Sequence, residues 1–169
     1  MPSDLANDRQ DNKDVHDKEK PTWVKRVIAY LLALLIIPLI YFVTASKGGL
    51  PEWVKVNQLI VESVLFGLIG GVTYCLRAVY LNRCVRKQWD TDWVTWYFLR
   101  PIVSLILGGV TFFILQIGLV TVGVKEATNP EHLIYVIAFF AGLNVDGFLK
   151  KFEGQISKNV GVSKSRQSS

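Results

Sequence analysis

The stretch Ile102–Val124 reads IVSLILGGVTFFILQIGLVTVGV and contains no charged residue. A helix of about 20 such residues crosses the roughly 30 Å of hydrocarbon in a bilayer. A second uncharged run, Val27–Ala45, reads VIAYLLALLIIPLIYFVTA. A soluble domain of this length would spread its apolar residues at the period of a helix or a strand. The two runs therefore predict helices that cross a membrane.

Two further apolar runs each carry a single charge, Glu62 within residues 58–76 and Asp146 within residues 133–149. Together the runs predict an all-α integral membrane protein with four transmembrane helices, at about residues 27–45, 58–76, 102–124 and 133–149. The fourth run is short and ends in polar residues, so a re-entrant or interfacial helix is the alternative there.

The distribution of Lys and Arg predicts the orientation, because cytoplasmic segments of membrane proteins are enriched in these residues. With four spans, sixteen of the nineteen basic residues fall on one side; Lys47, Lys55 and Lys125 are the exceptions. This split predicts that both termini lie in the cytoplasm. The small residues at Val43–Ala45 leave open a cleaved first helix, but the long charged segment before the run favours an uncleaved one.

The chain divides into a membrane domain and two polar tails. Residues 1–22 are dense in Asp and Lys without an apolar period, which predicts a disordered tail. Residues 154–169 are rich in Ser and Lys and predict a second, basic disordered tail. The membrane domain covers residues 23–153 between them.

A stripe of aromatic residues precedes the third apolar run. Trp89, Trp93 and Trp96 follow one another at spacings of four and three residues, which places them on one face of a helix. Trp side chains favour the headgroup region of a bilayer. The stripe predicts an amphipathic interfacial helix between the second and third spans; a docking surface for a cytosolic partner is the alternative.

Small residues recur at four-residue spacing in three of the spans. These are Ser63, Gly67 and Gly71 in the second, Ser104 and Gly108 in the third, and Ala138 and Gly142 in the fourth. Such faces let helix backbones approach closely in lipid. They could pack the helices of one chain, but their number favours a homo-oligomer.

Four ionisable residues are predicted to lie within or at the edge of the membrane. Glu62 lies near the outer surface, whereas Asp146 lies near the inner surface at the depth of Arg77 and Arg100. An ion pair between Asp146 and one of these arginines is the most economical expectation, because an unpaired carboxylate in hydrocarbon is costly. A polar ring at the mouth of a pore is the alternative.

The sequence contains no signature of an enzyme or a cofactor site. It lacks a nucleophile elbow, a phosphate-binding loop and the spacing of His or Cys residues that holds a metal. Its basic residues border the apolar runs and form no patch with interleaved aromatic residues, so no direct nucleic-acid binding is expected.

Two stretches resemble known proteins: WYFLRPIVSLILGGVTFFIL (residues 96–115) and IAFFAGLNVDGFLKKFE (residues 137–153). They are similar to a loose group of small bacterial multi-pass membrane proteins that includes membrane effectors of retron-type antiphage systems. The residues that carry the resemblance are Arg100, Pro101, Gly108, Gly142, Phe148 and Lys150. The resemblance implies a membrane effector controlled by a cytosolic partner.

The expected function is therefore a non-enzymatic pore or leak effector of an antiphage or abortive-infection system. The lipid bilayer, a second copy of the chain and a cytosolic regulatory protein are its expected partners. A membrane anchor that recruits a cytosolic protein and a small channel or transporter are the alternatives.

Overall fold

The computed structural model describes the backbone of residues 2–86, 91–122 and 130–160, and the side chains of residues 22–86, 92–116 and 131–154. All regular elements in these residues are helical, which confirms the predicted all-α class for this part of the chain. In chain order they are α1 (Pro2–Ser46), α2 (Glu52–Val56), α3 (Gln58–Tyr80), a π-helical turn (Leu81–Val85), a 3₁₀ turn (Thr91–Trp93), α4 (Val94–Val122), α5 (Pro130–Leu143) and α6 (Val145–Val160).

Among the described residues, three helical segments are long and apolar enough to cross a membrane: Thr22–Ser46, Gln58–Val85 and Val94–Gln116. A fourth segment qualifies only if α5 and α6 are counted as one span, and these two helices are bent by 107° at their junction. The continuous helix predicted at residues 133–149 is therefore wrong, because the chain turns inside it.

Asn144 explains the turn. Its side-chain Oδ1 accepts a hydrogen bond from the backbone N–H of Gly147 at 3.2 Å, so it caps the first turn of α6. The Asn144 backbone N–H still bonds to the Phe140 carbonyl at 2.9 Å. The residue thus ends one helix and begins the next without leaving these backbone groups unpaired.

The separate interfacial helix predicted before the third span is also absent from the described residues. Trp89 lies outside them, and Trp93 ends a 3₁₀ turn that runs directly into α4. Pro101, which directly precedes the predicted third span at residues 102–124, lies inside α4. Inside a helix, proline removes one backbone hydrogen bond and its ring crowds the carbonyl four residues earlier, a cost that contacts with neighbouring helices can offset.

The helical bounds also differ from the predicted tails. α1 begins at Pro2 and includes most of residues 1–22, and α6 continues to Val160 beyond the predicted start of the second tail at residue 154. Adding a residue to an existing helix is far easier than starting one, so a stable span can extend into a polar neighbour. Residues 161–169 lie outside the described part of the chain.

α1 ends in a glycine turn that reverses the chain. Gly48 has φ +71°, a left-handed conformation that glycine adopts without steric cost. Its N–H bonds to the Ala45 carbonyl at 3.0 Å, and the Gly49 N–H bonds to the Thr44 carbonyl at 3.1 Å. The turn satisfies carbonyl groups that the end of the helix leaves free.

α3 packs against one antiparallel and one parallel neighbour. α4 runs antiparallel to α3, because Gly67 lies against Gly108 and Gly71 lies against Ser104. α5 runs parallel to α3, because Tyr135 stacks on Phe66 and, further along both helices, Phe139 lies against Gly70. One end of the bundle therefore collects the part of α1 near Val24, the end of α3, the start of α4 and the start of α6.

An apolar cluster joins α1 to the end of the bundle where α3 finishes. Val24, Val27 and Leu31 of α1 pack against a stripe of α3 and against the first turns of α4; the buried members from those helices are Leu68, Val72, Cys75, Val79, Val94 and Tyr97. Tyr30 adds a hydrogen bond from its hydroxyl to the Phe98 carbonyl at 3.2 Å. α1 is thus held by one face and leaves its other faces open.

Candidate functional site

The closest helix contacts lie where α3, α4 and α5 meet at small residues. A Cβ added at Gly67 would lie 2.6 Å from the Ser104 carbonyl oxygen and 2.7 Å from the Gly108 Cα, so only glycine fits. Gly142 meets the Gly67 backbone from the α5 side. Gly67 is therefore in contact with two helices at once, which the sequence pattern did not foresee.

Two serines connect the same helices by hydrogen bonds. The Ser63 hydroxyl donates to the Gly108 carbonyl at 2.8 Å, and the Ser104 hydroxyl lies 3.1 Å from the Gly142 carbonyl. Ser104 also lies against Gly71, and Ala138 is fully buried. All seven small residues singled out in the sequence thus pack helices of the same chain against one another. Gly70, which lies beside Gly71 in the sequence, contacts Phe139 and belongs to the same packing surface.

The buried cation of the bundle is Arg100, which is 6% exposed. Its guanidinium carbon lies 4.2 Å from the centre of the Tyr74 ring and 4.8 Å from that of Trp96. Its Nη1 lies 2.9 Å from Asp146 Oδ2, whereas its buried Nε has no hydrogen-bond partner in the described structure. The two aromatic rings and the carboxylate together stabilise the positive charge of Arg100, which is removed from water.

Asp146 is the second residue of α6, so this ion pair joins α4 to the helix that follows the bend. The sequence placed both Arg77 and Arg100 at the depth of Asp146, and the structure pairs it with Arg100. Arg77 is exposed on α3. The Asp146 side chain is 71% exposed, so water reaches the carboxylate from one side.

A second polar cluster lies at the opposite end of the bundle, around Glu62, which is 8% exposed. Gln58 Nε2 donates to Glu62 Oε1 at 2.7 Å, and the Tyr41 hydroxyl lies 3.4 Å from the same oxygen. Tyr135 of α5 lies beside the same carboxylate. Glu62 therefore joins α1 to α3 at this end, next to α5.

The two remaining tryptophans of the predicted interfacial stripe differ in their surroundings. Trp93 is 56% exposed, whereas Trp96 is partly buried beside Arg100 and lies edge-on to Tyr97. Trp96 thus serves the arginine site, and Trp93 projects from the bundle. Both were predicted to anchor an interfacial helix, and nothing in the sequence indicates that their surroundings differ.

Among the described residues, no group of three or more His, Cys, Asp or Glu side chains could hold a metal ion. Cys75 and Cys84 are free thiols, the first buried and the second exposed. The contacts in the Arg100 and Glu62 clusters are an ion pair, aromatic contacts and hydrogen bonds, several of which join different helices.

Comparison of the chain with models of protein families, with curated proteins and with solved structures found no match.

Proposed function

We propose that this chain is a multi-pass protein of a bacterial inner membrane that acts as a leak effector in antiphage or abortive-infection defence. The proposal has two parts, residence in the bilayer and a local weakening of it. Each part rests on a different property of the bundle.

The placement of apolar side chains supports residence in a bilayer. Large apolar residues along the middle of α1 and α4 point outwards, among them Leu39 at 63%, Ile40 at 60% and Ile106 at 58% exposure. Where α3, α4 and α5 meet, the buried positions include Ser63, Ser104 and the helix-contact glycines. Hydrocarbon around the bundle would cover these side chains without any further protein.

The observation that carries the leak proposal is the short length of α5. Its fourteen residues span about 21 Å, which is roughly 9 Å less than a typical hydrocarbon core. α6 does not extend the span, because it turns by 107°. A bilayer adapts to a short span by thinning around it.

Charged groups lie where this thinning would occur. Asp146 is largely exposed, and Lys150 and Lys151 follow on the next turn of α6. Charged side chains near a thin region of hydrocarbon draw in water and lower the barrier to ions. The leak would thus arise beside α5 and α6 rather than through the centre of one chain, where Gly67, Ser104 and Gly108 touch.

Assembly would extend the thinned region. Because the small-residue faces are used inside one chain, copies would have to meet through outward apolar side chains of the bundle. A cytosolic regulatory protein, reached through the tails, would hold the effector inactive. Neither partner is needed for the first test below.

The test measures membrane potential in bacterial cells during induced expression, with a potential-sensitive dye. We expect depolarisation and growth arrest for the natural chain. Replacing both Asn144 and Gly147 by leucine removes the cap of α6 and favours one continuous helix, which should restore a full-length span and reduce depolarisation several-fold.

Asn57→Leu is the matched control, because Asn57 is an exposed asparagine at the junction of α2 and α3. It should depolarise like the natural chain at equal expression. Membrane-inserted natural protein that leaves the potential unchanged at high expression would exclude the leak function.

Orientation is tested separately with an impermeant thiol reagent in intact cells. Cysteine placed at Ser46 or Thr128 should react from outside, and cysteine at Ser157 should not. Reaction at Ser157 would contradict the proposed cytoplasmic location of both termini.

An anchoring subunit is the second candidate, and the apolar surface near the basic connection favours it. Tyr80, Val85 and Trp93 are each more than half exposed at that end of the bundle. An innocuous chain that loses a specific cytosolic partner on Trp93→Ala, with unchanged insertion, would support the anchor over the leak.

A further inference from the structure

The inference concerns α6, which begins at the Asn144 turn and leaves α5 at 107°. If α5 crosses the bilayer, this angle places α6 nearly in the plane of the membrane. It lies at the end of the bundle that holds Arg26, Arg77 and Arg100, the end predicted to face the cytoplasm.

The apolar residues of α6 form one stripe. Val145, Phe148, Leu149 and Phe152 fall within an arc of about 100° on a helix that turns 3.6 residues per turn. Ile156 and Val160 continue the same spacing in the sequence. Lys150 and Lys151 lie on the opposite half of the helix, and both are exposed. This pattern is typical of helices that lie in a membrane interface.

The stripe is covered by protein only at its beginning. Val145 is buried with Leu107 and Ala141, and Phe148 packs against this cluster. Further along, Leu149 is 44% exposed, and the ring centres of Phe148 and Phe152 lie 6.4 Å apart. The neighbouring surface of α4 carries Val103 and Ile106, which also point outwards. The open part of the stripe is therefore continuous with a surface that the proposed function places in lipid.

The charges indicate which lipid surface fits. Five basic and two acidic residues lie between Val145 and Ser169, and one of the two acids, Asp146, is already paired with Arg100. A basic segment at a bilayer surface is attracted to anionic headgroups. A zwitterionic surface would offer the apolar stripe the same hydrocarbon and would also carry phosphate groups, but it would lack the net negative charge that attracts Lys150 and Lys151.

From this geometry we infer that α6 binds the surface of an anionic phospholipid bilayer, with Leu149 and Phe152 inserted at the acyl boundary and Lys150 and Lys151 facing phosphate groups. The inference rests on the proposed membrane location and identifies the partner of the segment beside the thinned region.

The test uses full-length protein with Cys84 replaced by serine, reconstituted in phosphatidylglycerol vesicles. A nitroxide label is placed at Leu149→Cys, at Lys151→Cys, or at Ile106→Cys as a reference on α4. Collision with oxygen, which concentrates in hydrocarbon, is compared with collision with a water-soluble nickel chelate. We expect the oxygen-to-nickel ratio to be several-fold higher at position 149 than at position 151.

The contribution of charge is tested with the same Leu149→Cys label in phosphatidylcholine vesicles, and after Lys150→Gln with Lys151→Gln in phosphatidylglycerol. Both changes should lower the ratio at position 149 while leaving the reference at 106 unchanged. Equal ratios in the two lipids would overturn the anionic preference.

Two other outcomes would overturn the inference itself. Nickel access at position 149 equal to that at position 151 would place α6 in water, and protection from both reagents would mean that protein covers it. If position 106 is oxygen-accessible in either case, the membrane location still stands. Nickel access at position 106 would instead remove the membrane location, and with it the proposed function.

Discussion

α1 and α3 are both apolar helices of membrane-spanning length, yet they are embedded in the bundle to very different degrees. In the most apolar 18-residue segment of α3, 50% is buried inside the protein, against 17% in the corresponding segment of α1. α3 carries Gly67, Gly70 and Gly71, where neighbouring backbones come into contact. α1 has no glycine between Thr22 and Ser46 and touches the bundle through larger side chains. Apolarity thus determines whether a helix can lie in lipid, whereas small residues determine how closely it approaches its neighbours.

The strongest test of this comparison is Gly67→Ala. The added Cβ would press on the backbone of both Ser104 and Gly108, which cannot move as a side-chain end can. We expect a loss of about 3 kcal/mol in the free energy of unfolding. Thermal unfolding in mild detergent measures it. Gly109→Ala is the matched control, because its Cβ would meet only a Val64 methyl carbon, at 3.3 Å. Equal melting temperatures for the two variants would refute the account of α3.

Two adjacent leucines of α1 test the other half of the comparison. Leu31 is fully buried against α3, whereas Leu32 is 51% exposed. Leu31→Ala should lower the free energy of unfolding by about 2 kcal/mol because it opens a cavity, and Leu32→Ala should change it little. Chemical unfolding in detergent separates them. A larger effect at Leu32 would mean that this face of α1 is covered by a second copy.

The arginine site predicts a smaller effect that depends on shape more than on charge. Arg100→Lys keeps the positive charge but loses the flat guanidinium that lies over Tyr74 and Trp96. The expected loss is about 1.5 kcal/mol. Asp146→Asn should cost only about 0.5 kcal/mol, because its carboxylate is mostly exposed. If Asp146→Asn proves the more damaging change, the ion pair and not the aromatic contact holds Arg100.

Ser63→Ala is expected to have a smaller effect than Arg100→Lys. It removes a hydrogen bond to the Gly108 carbonyl that spans α3 and α4. Interhelical hydrogen bonds of this kind contribute about 0.6 kcal/mol in membrane proteins. The unfolding of Ser63→Ala, compared with Thr44→Ala, whose hydroxyl bonds within its own helix, isolates the interhelical part. No difference between them would assign the α3–α4 contact to backbone approach alone.

The apolar runs predicted the three long helices, and the spacing of Gly67, Gly108 and Gly142 indicated where backbones could approach. The sequence could not predict where the chain turns or how each helix is rotated about its axis. Asn144 lies among the polar residues that end the fourth apolar run, and its side chain can cap a new helix if the chain turns. Likewise, Pro101 is favoured at the first turn of a helix but is tolerated inside one, and only packing decides between these positions. The partner of Asp146 could be narrowed to two arginines, because depth follows from sequence but rotation of a helix about its axis does not.

Gly67 contacts Gly108 on α4 and Gly142 on α5, so one position is shared by two helix pairs. A side chain gained there would need room on both neighbours at once, and neither could provide it by a single substitution. Effects of changes at these three sites should therefore not be additive, since residues in direct contact share their energetic consequences. During evolution the three glycines should therefore be kept or lost together. A lineage can lose them together with the packing that they permit, but it has no gradual route to replace them singly.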